Sequence, residues 1–129
     1  MSYYHAKTLP GTSFDDAVTR ATAALKEQGF GILTEINVTA TMKQKLDRDF
    51  RNYLILGACN PAMAWEALQA EDRIGTMLPC NVIVQQHDGG DVEVAAVDPV
   101  ASMQAVANPQ LTAIATKVRD QLRHAIDSL

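Results

Sequence analysis

The sequence predicts an α+β fold: a single domain over residues 1–129, with a largely antiparallel five-stranded sheet and helices packed on one face. Three observations predict it. Strand-like and helix-like segments follow the order β-α-β-(α)-β-α-β-β-α, with a hairpin late in the chain. The two long helical segments are each apolar on one side only, so each needs a larger surface to lie on. A chain of 129 residues builds one core, and a second domain would be too small to bury its own.

The elements follow in order. Residues 2 to 9 alternate Tyr4, Ala6 and Thr8 with Tyr3, His5, Lys7 and Leu9, as a strand does. "PGTS" turns the chain, and Ser13 caps a helix whose positive first turn suits Asp15 and Asp16. Phe14, Ala17, Val18, Ala21 and Leu25 form its apolar face, and Gly29 closes it in the C′ role. "FGILTEINV" predicts the second strand, followed by a short helix near 40–46 capped by Thr39. The run 53–58, "YLILGA", is too short and oily for a helix and predicts a strand buried on both faces. Asn60 and Pro61 then take N-cap and N1 positions of a helix carrying Ala64, Trp65 and Leu68, fading near Glu71. "CNVIVQQHDGGDVEVAAV" predicts a hairpin turning at Asp88, Gly89 and Gly90, with Val92, Val94 and Ala96 on one face and Asp98-Pro99 ending it. Asn108-Pro109 repeats the cap-plus-proline start. The last helix buries Leu111, Ile114, Ala115, Val118, Leu122 and Ala125 and wets Lys117, Asp120, Arg123 and Asp127.

Composition narrows the function classes. At 47% hydrophobic and 20% charged the chain is ordinary for a folded domain, and its apolar runs are too short to span a bilayer. The first residues show no basic stretch followed by an apolar one, so no secretory signal is expected and the location predicted is the cytoplasm. Net charge is −4, and no Lys or Arg falls between Arg73 and Lys117. The densest basic stretch, Lys43 to Arg51, is interleaved with Asp47 and Asp49. A phosphate-tracking surface needs unopposed cations, so neither nucleic acid nor an anionic membrane is expected as a partner.

The candidate chemistry centres on the two cysteines. Cys59 falls between a strand and a capped helix, where dipole and free N–H groups of Ala62 and Met63 would lower its pKa; the alternative is a small buried hydrophobe. Cys80 follows Pro79 and reads either as core or as a second thiol. With no CxxC and no histidine pair a structural zinc site is not expected, whereas Met63 near Cys59 and Met77 near Cys80 would suit Cu(I) if they are not core filler. Asn60 is a helix cap; Asn81, read as an amide in a buried strand, either orients a ligand or ties down a loop. Trp65 reads as core or as the wall of a pocket. His87 and His124 read as solvated, and His5 points either way. No phosphate loop, GxSxG or HExxH is present, and no cofactor is predicted.

"NVTATMKQKLDRDFRNYLILGACNPAMAWEALQ" and "IGTMLPCNVIVQQHDGGDVEVAAVDPVASM" resemble the family known as domain of unknown function 302 over nearly the whole chain. The resemblance implies a small α+β domain like the TATA-box-binding-protein-like class, commonly homodimeric, and supplies no reaction, cofactor or catalytic residue. It marks Cys59, Asn60, Pro61, Pro79, Cys80 and Asn81 as signature positions without assigning them to packing or chemistry. Two functions follow as expectations. One is a homodimer whose cleft, formed by Cys59, Asn60, Cys80, Asn81 and Trp65, binds a sulfur species, an electrophile or a soft metal. The other is a non-catalytic dimeric module binding an apolar small molecule or a protein partner through its open sheet face.

Overall fold

The computed structural model describes residues 2–129. Five strands, β1 (Tyr4–Leu9), β2 (Gly31–Asn37), β3 (Tyr53–Cys59), β4 (Cys80–Gln86) and β5 (Val92–Val97), form one sheet in the order β1-β5-β4-β3-β2. Every neighbouring pair is antiparallel. The long helices α1 (Phe14–Glu27) and α5 (Pro109–Asp127) pack together on the sheet, and α2 (Val38–Leu46), α3 (Pro61–Ala70) and the short α4 (Pro99–Ser102) complete the chain. The antiparallel α+β architecture expected from the sequence is the one observed.

Capping chemistry explains where the helices begin. Ser13 accepts from the Asp16 N–H at 3.1 Å, and Gly29 follows α1 at φ +87°, a left-handed geometry that costs glycine little. Asn60 and Asn108 cap α3 and α5, each with proline in the first turn. The cap of α2 is a correction: Asn37, not Thr39, accepts from the Ala40 N–H at 2.9 Å, and the helix starts earlier. Thr39 instead donates to the Arg51 carbonyl at 2.6 Å and accepts from the Tyr53 N–H at 3.0 Å, tying α2 to β3.

Strand alternation sorts the sheet into two faces. Val82, Val84, Val92, Val94, Ala96, Leu56 and Ala58 point to the helices and are buried, meeting Ala17, Ala21 and Leu25 of α1 and Leu122, Ala125 and Ile126 of α5. The other face carries Tyr4, Ile36, Tyr53, Ile55, Ile83 and Val97, all half-buried or exposed. β3 is therefore enclosed on its helix side and only partly covered on the other, where it was expected to be buried on both. Gly57 sits on the open face beneath Thr34 and Pro79. A Cβ there would lie 2.1 Å from Thr34 Oγ1 and 2.8 Å from Pro79 Cγ, so the close approach of the two requires glycine.

A second, smaller core lies beyond the end of the sheet, where Ala67, Ile74, Met103, Leu111 and Ala115 pack together. It is assembled by two pieces unseen in the sequence: a turn of 3₁₀ helix at Ile74–Met77 and α4. Asp98 does more than end β5. It is 5% exposed, caps α4 through the Val100 and Ala101 N–H groups at 2.9 and 3.3 Å, and accepts from Arg123 Nη2 at 3.2 Å. Arg123, expected on the wet side of α5, is drawn inward by that carboxylate. At the opposite edge His5 Nε2 meets Asp127 Oδ1 at 2.7 Å and Lys7 donates to the Asp127 and Leu129 carbonyls, fastening β1 to the end of α5.

Candidate functional site

The two cores meet at a small, partly open pocket of about 40 Å³. Four sulfur-bearing side chains from four pieces of the chain line it: Cys59 at the end of β3, Met63 in the first turn of α3, Cys80 at the start of β4, and Met103 just after α4. Ala58 pairs with Cys80 across β3 and β4, and Cys59 is one residue beyond that pair, at the end of β3 where the chain leaves the sheet for the α3 cap. Aliphatic side chains such as Leu78, Leu111, Ile114 and Val118 fill the remaining wall, and among the described residues no charged side chain lines it.

The electrostatics run opposite to the expectation for Cys59. Its thiol is pushed above its ordinary pKa by burial, whereas a helix N-terminus was expected to lower it. The reason lies in the cap. Asn60 Oδ1 already accepts from the Met63 N–H at 3.3 Å, and Pro61 has no N–H to offer, so of the two donors expected to face Cys59 one is engaged in the cap. Cys80 is buried and is pushed further, to about 11, by burial first and by the neighbouring Cys59 second. Both side chains are therefore protonated, soft and poorly nucleophilic at neutral pH.

The predicted site residues divide into two groups. Cys59, Asn60 and Cys80 share the pocket. Asn81 does not: strand alternation turns it outward, it is exposed instead of buried, and it borders a neighbouring depression beside Thr76 and Ser102 that shares Leu78, Pro79, Cys80 and Met103 with the pocket. Trp65 is 67% exposed on the outer side of α3, neither core nor wall of this pocket, and lines a surface groove with Gln69 and Gln110. Met77, paired with Cys80 in the sequence reading, is partly exposed and lies outside the pocket, and Met103 takes that place. Only the fold-back of α4 brings Met103 there. The signal that could have shown it is Asp98-Pro99, the same cap-plus-proline pair that starts α3 and α5.

Among the described residues no three His, Cys, Asp or Glu side chains gather where they could hold a metal, so any metal here would need methionine sulfur. No helix is long and apolar enough to cross a membrane.

A five-stranded antiparallel sheet with two long helices on one face, and a sulfur-lined pocket where its middle strands meet a capped helix, define a small α+β protein of one architecture. The chain belongs to the family described as domain of unknown function DUF302, which matches residues 5–129. Its structure is similar to the crystal structure of an uncharacterized conserved protein DUF302 from Bacillus stearothermophilus, with a TM-score of 0.90 and 26% identity over 98% of both chains. None of the curated proteins matches the sequence.

Proposed function

We propose that this is a homodimeric cytoplasmic protein whose sulfur-lined pocket holds a small soft ligand, with Cys59 and Cys80 as ligand-holding groups and not as nucleophiles. The observation that carries the reading is the convergence of both thiols with Met63 and Met103 on one pocket. Cys80 and Met63 also pack in the main core and Met103 in the second, so what supports a ligand is their meeting with Cys59 at one opening. Asn60 belongs to the pocket as the cap that fixes the turn after Cys59. A cytoplasmic setting keeps both thiols reduced. The test is modification of the folded, reduced protein by methyl methanethiosulfonate at mildly alkaline pH, read by mass spectrometry. Cys59 is expected to react in the native state and Cys80 only on unfolding; a Cys59 that stays unmodified until denaturation overturns the reading.

The homodimer rests on a different observation, the open face of the sheet. Tyr4 and Ile36 are 48% and 49% exposed there, beside half-buried Tyr53, Ile55 and Ile83, and the face is hollowed into a groove of about 410 Å³. A second copy laid on this face would cover it, and stable interfaces bury roughly 1,200–2,000 Å² in total. Light scattering is expected to give twice the chain mass for the wild type and the single chain mass for Ile83→Lys. A monomeric wild type refutes the dimer and leaves the pocket untouched.

A further inference from the structure

We infer that the pocket is a site for one soft monovalent metal ion, of the Cu(I) class, held by the thiols of Cys59 and Cys80 and the thioethers of Met63 and Met103. The inference rests on the reading of the pocket as a ligand-holding site and names its ligand.

Size is the first argument. Sites for drug-sized molecules run to about 300–1,000 Å³, while a cavity needs roughly 10–15 Å³ of such space to hold one water. A pocket of about 40 Å³ has room for one ion or a few waters and not for a drug-sized molecule. Donor chemistry is the second. Thiolate paired with thioether sulfur suits Cu(I); zinc also takes thiolate, but fills its remaining positions with further thiolate, imidazole or carboxylate and not thioether, and calcium and magnesium take oxygen. Here the wall offers sulfur four times, a single side-chain amide, and no carboxylate or imidazole among the described residues. That amide belongs to Asn60, whose oxygen is engaged in the cap.

Charge is the third argument. An organic anion or cation would find no counter-charge in the wall. The ion brings its own: two thiols and one Cu(I) give a bis-thiolate complex of charge −1 and release two protons to solvent, with no change of oxidation state. The N-terminus of α3 offsets little of that charge, because its Met63 N–H is engaged by Asn60 and Pro61 has no N–H. Methionine side chains are unbranched and adaptable, which suits Met63 and Met103 to adjust to an ion in the pocket they line.

The experiment is a titration of reduced full-length protein with cuprous ion under anaerobic conditions, against a chromogenic Cu(I) chelator. One chelator-resistant ion per chain is expected, with an all-sulfur first shell in X-ray absorption. Cys59→Ser and Cys80→Ser are expected to weaken binding by about 100-fold, and Met63→Leu and Met103→Leu, near-isosteric changes that keep the fold, by about 10-fold. Met77→Leu, outside the pocket, should leave the affinity unchanged. Circular dichroism of each variant separates lost binding from lost folding. Copper held equally well by a Cys59→Ser/Cys80→Ser double variant, nitrogen or oxygen ligands in the shell, or a dependence on Met77 in place of Met103 overturns the assignment. If no copper is retained while Cys59 of the native protein still reacts with methyl methanethiosulfonate, the metal inference falls and the pocket reading stands. If Cys59 is also inert, both fall.

Discussion

Cys80 should make the stability of this protein fall steeply in alkali, by an amount the structure sets. Burial and the nearby Cys59 push its thiol from 9.0 to about 11. As the pH rises through 9 the unfolded chain gives up this proton while the folded chain keeps it, so unfolding becomes easier. The contribution is fully present below about pH 9 and is lost as the pH climbs toward the folded value. A gap of about two pH units, at roughly 1.4 kcal/mol each, amounts to on the order of 3 kcal/mol, most of it gone by about pH 11. The assay is a series of urea unfolding curves from about pH 7.5 to about pH 11 on wild type and Cys80→Ala, compared at equal m. At neutral pH the variant should be weaker by roughly 1–2 kcal/mol, because its smaller side chain leaves space beside Val82. That deficit should shrink and reverse in alkali, since only the wild type carries the thiol. Cys59→Ala, which removes a neighbouring like charge and so lowers the folded Cys80 pKa, should make the alkaline loss from Cys80 smaller and complete at a lower pH, with its onset unchanged. Wild-type and Cys80→Ala stabilities that run parallel across this range would refute the burial argument for the pocket.

Three further outcomes follow from particular contacts. Gly57→Ala should destabilise the fold by roughly 1–3 kcal/mol in urea unfolding, because its methyl group would press on Thr34 and on the Pro79 ring. Asp98→Ala should cost on the order of 3 kcal/mol, the loss of a cap plus a stranded Arg123, and should loosen the wall that carries Met103; Asp98→Asn, which keeps a capping oxygen, should cost about 1 kcal/mol less. Asp127 is held below the usual carboxylate range chiefly by its hydrogen bond with His5. Its stabilising effect is present above the ordinary carboxylate pKa and lost as the pH falls through the lowered one, so His5→Ala should raise the Asp127 pKa in a carboxyl NMR titration.

How far the sequence carried depended on whether the deciding interaction was local. Ser13, Asn60-Pro61 and Asn108-Pro109 act within a turn of the helix they start, and each marked its helix correctly. Asn37 and Thr39 are both able caps two residues apart, and the choice between them was made by Thr39 reaching Arg51 and Tyr53, contacts across a loop. Asn81 was legible in principle: with Cys80, Val82 and Val84 in phase toward the core, alternation leaves it outward. Trp65 was legible in the same sense, since the face of α3 through Met63, Ala64 and Ala67 excludes it. Met103 was legible only in part: Asp98-Pro99 signals the start of α4, but the fold-back that carries Met103 to the pocket is held by a contact between Asp98 and Arg123, twenty-five residues further along.

The character of the site follows from a competition that is decided locally. A helix N-terminus favours a nearby anion by about 0.3–1 kcal/mol, and less when its donors are already engaged. Removing a thiolate from water into an apolar wall acts against the charged form and grows with burial. At Cys59 the cap oxygen of Asn60 takes the Met63 N–H and Pro61 has none, which weakens the helix end as an anion site; desolvation wins and the thiol pKa rises. At Cys80, deeper and next to a second thiol, it wins by more. An electrophile that needs a free thiolate meets almost none at neutral pH. A soft cation must displace the same protons, so its binding weakens as the pH falls, but once bound it supplies positive charge that the wall lacks. Burial that disqualifies these cysteines as nucleophiles therefore still leaves metal ligation open to them, in competition with those protons.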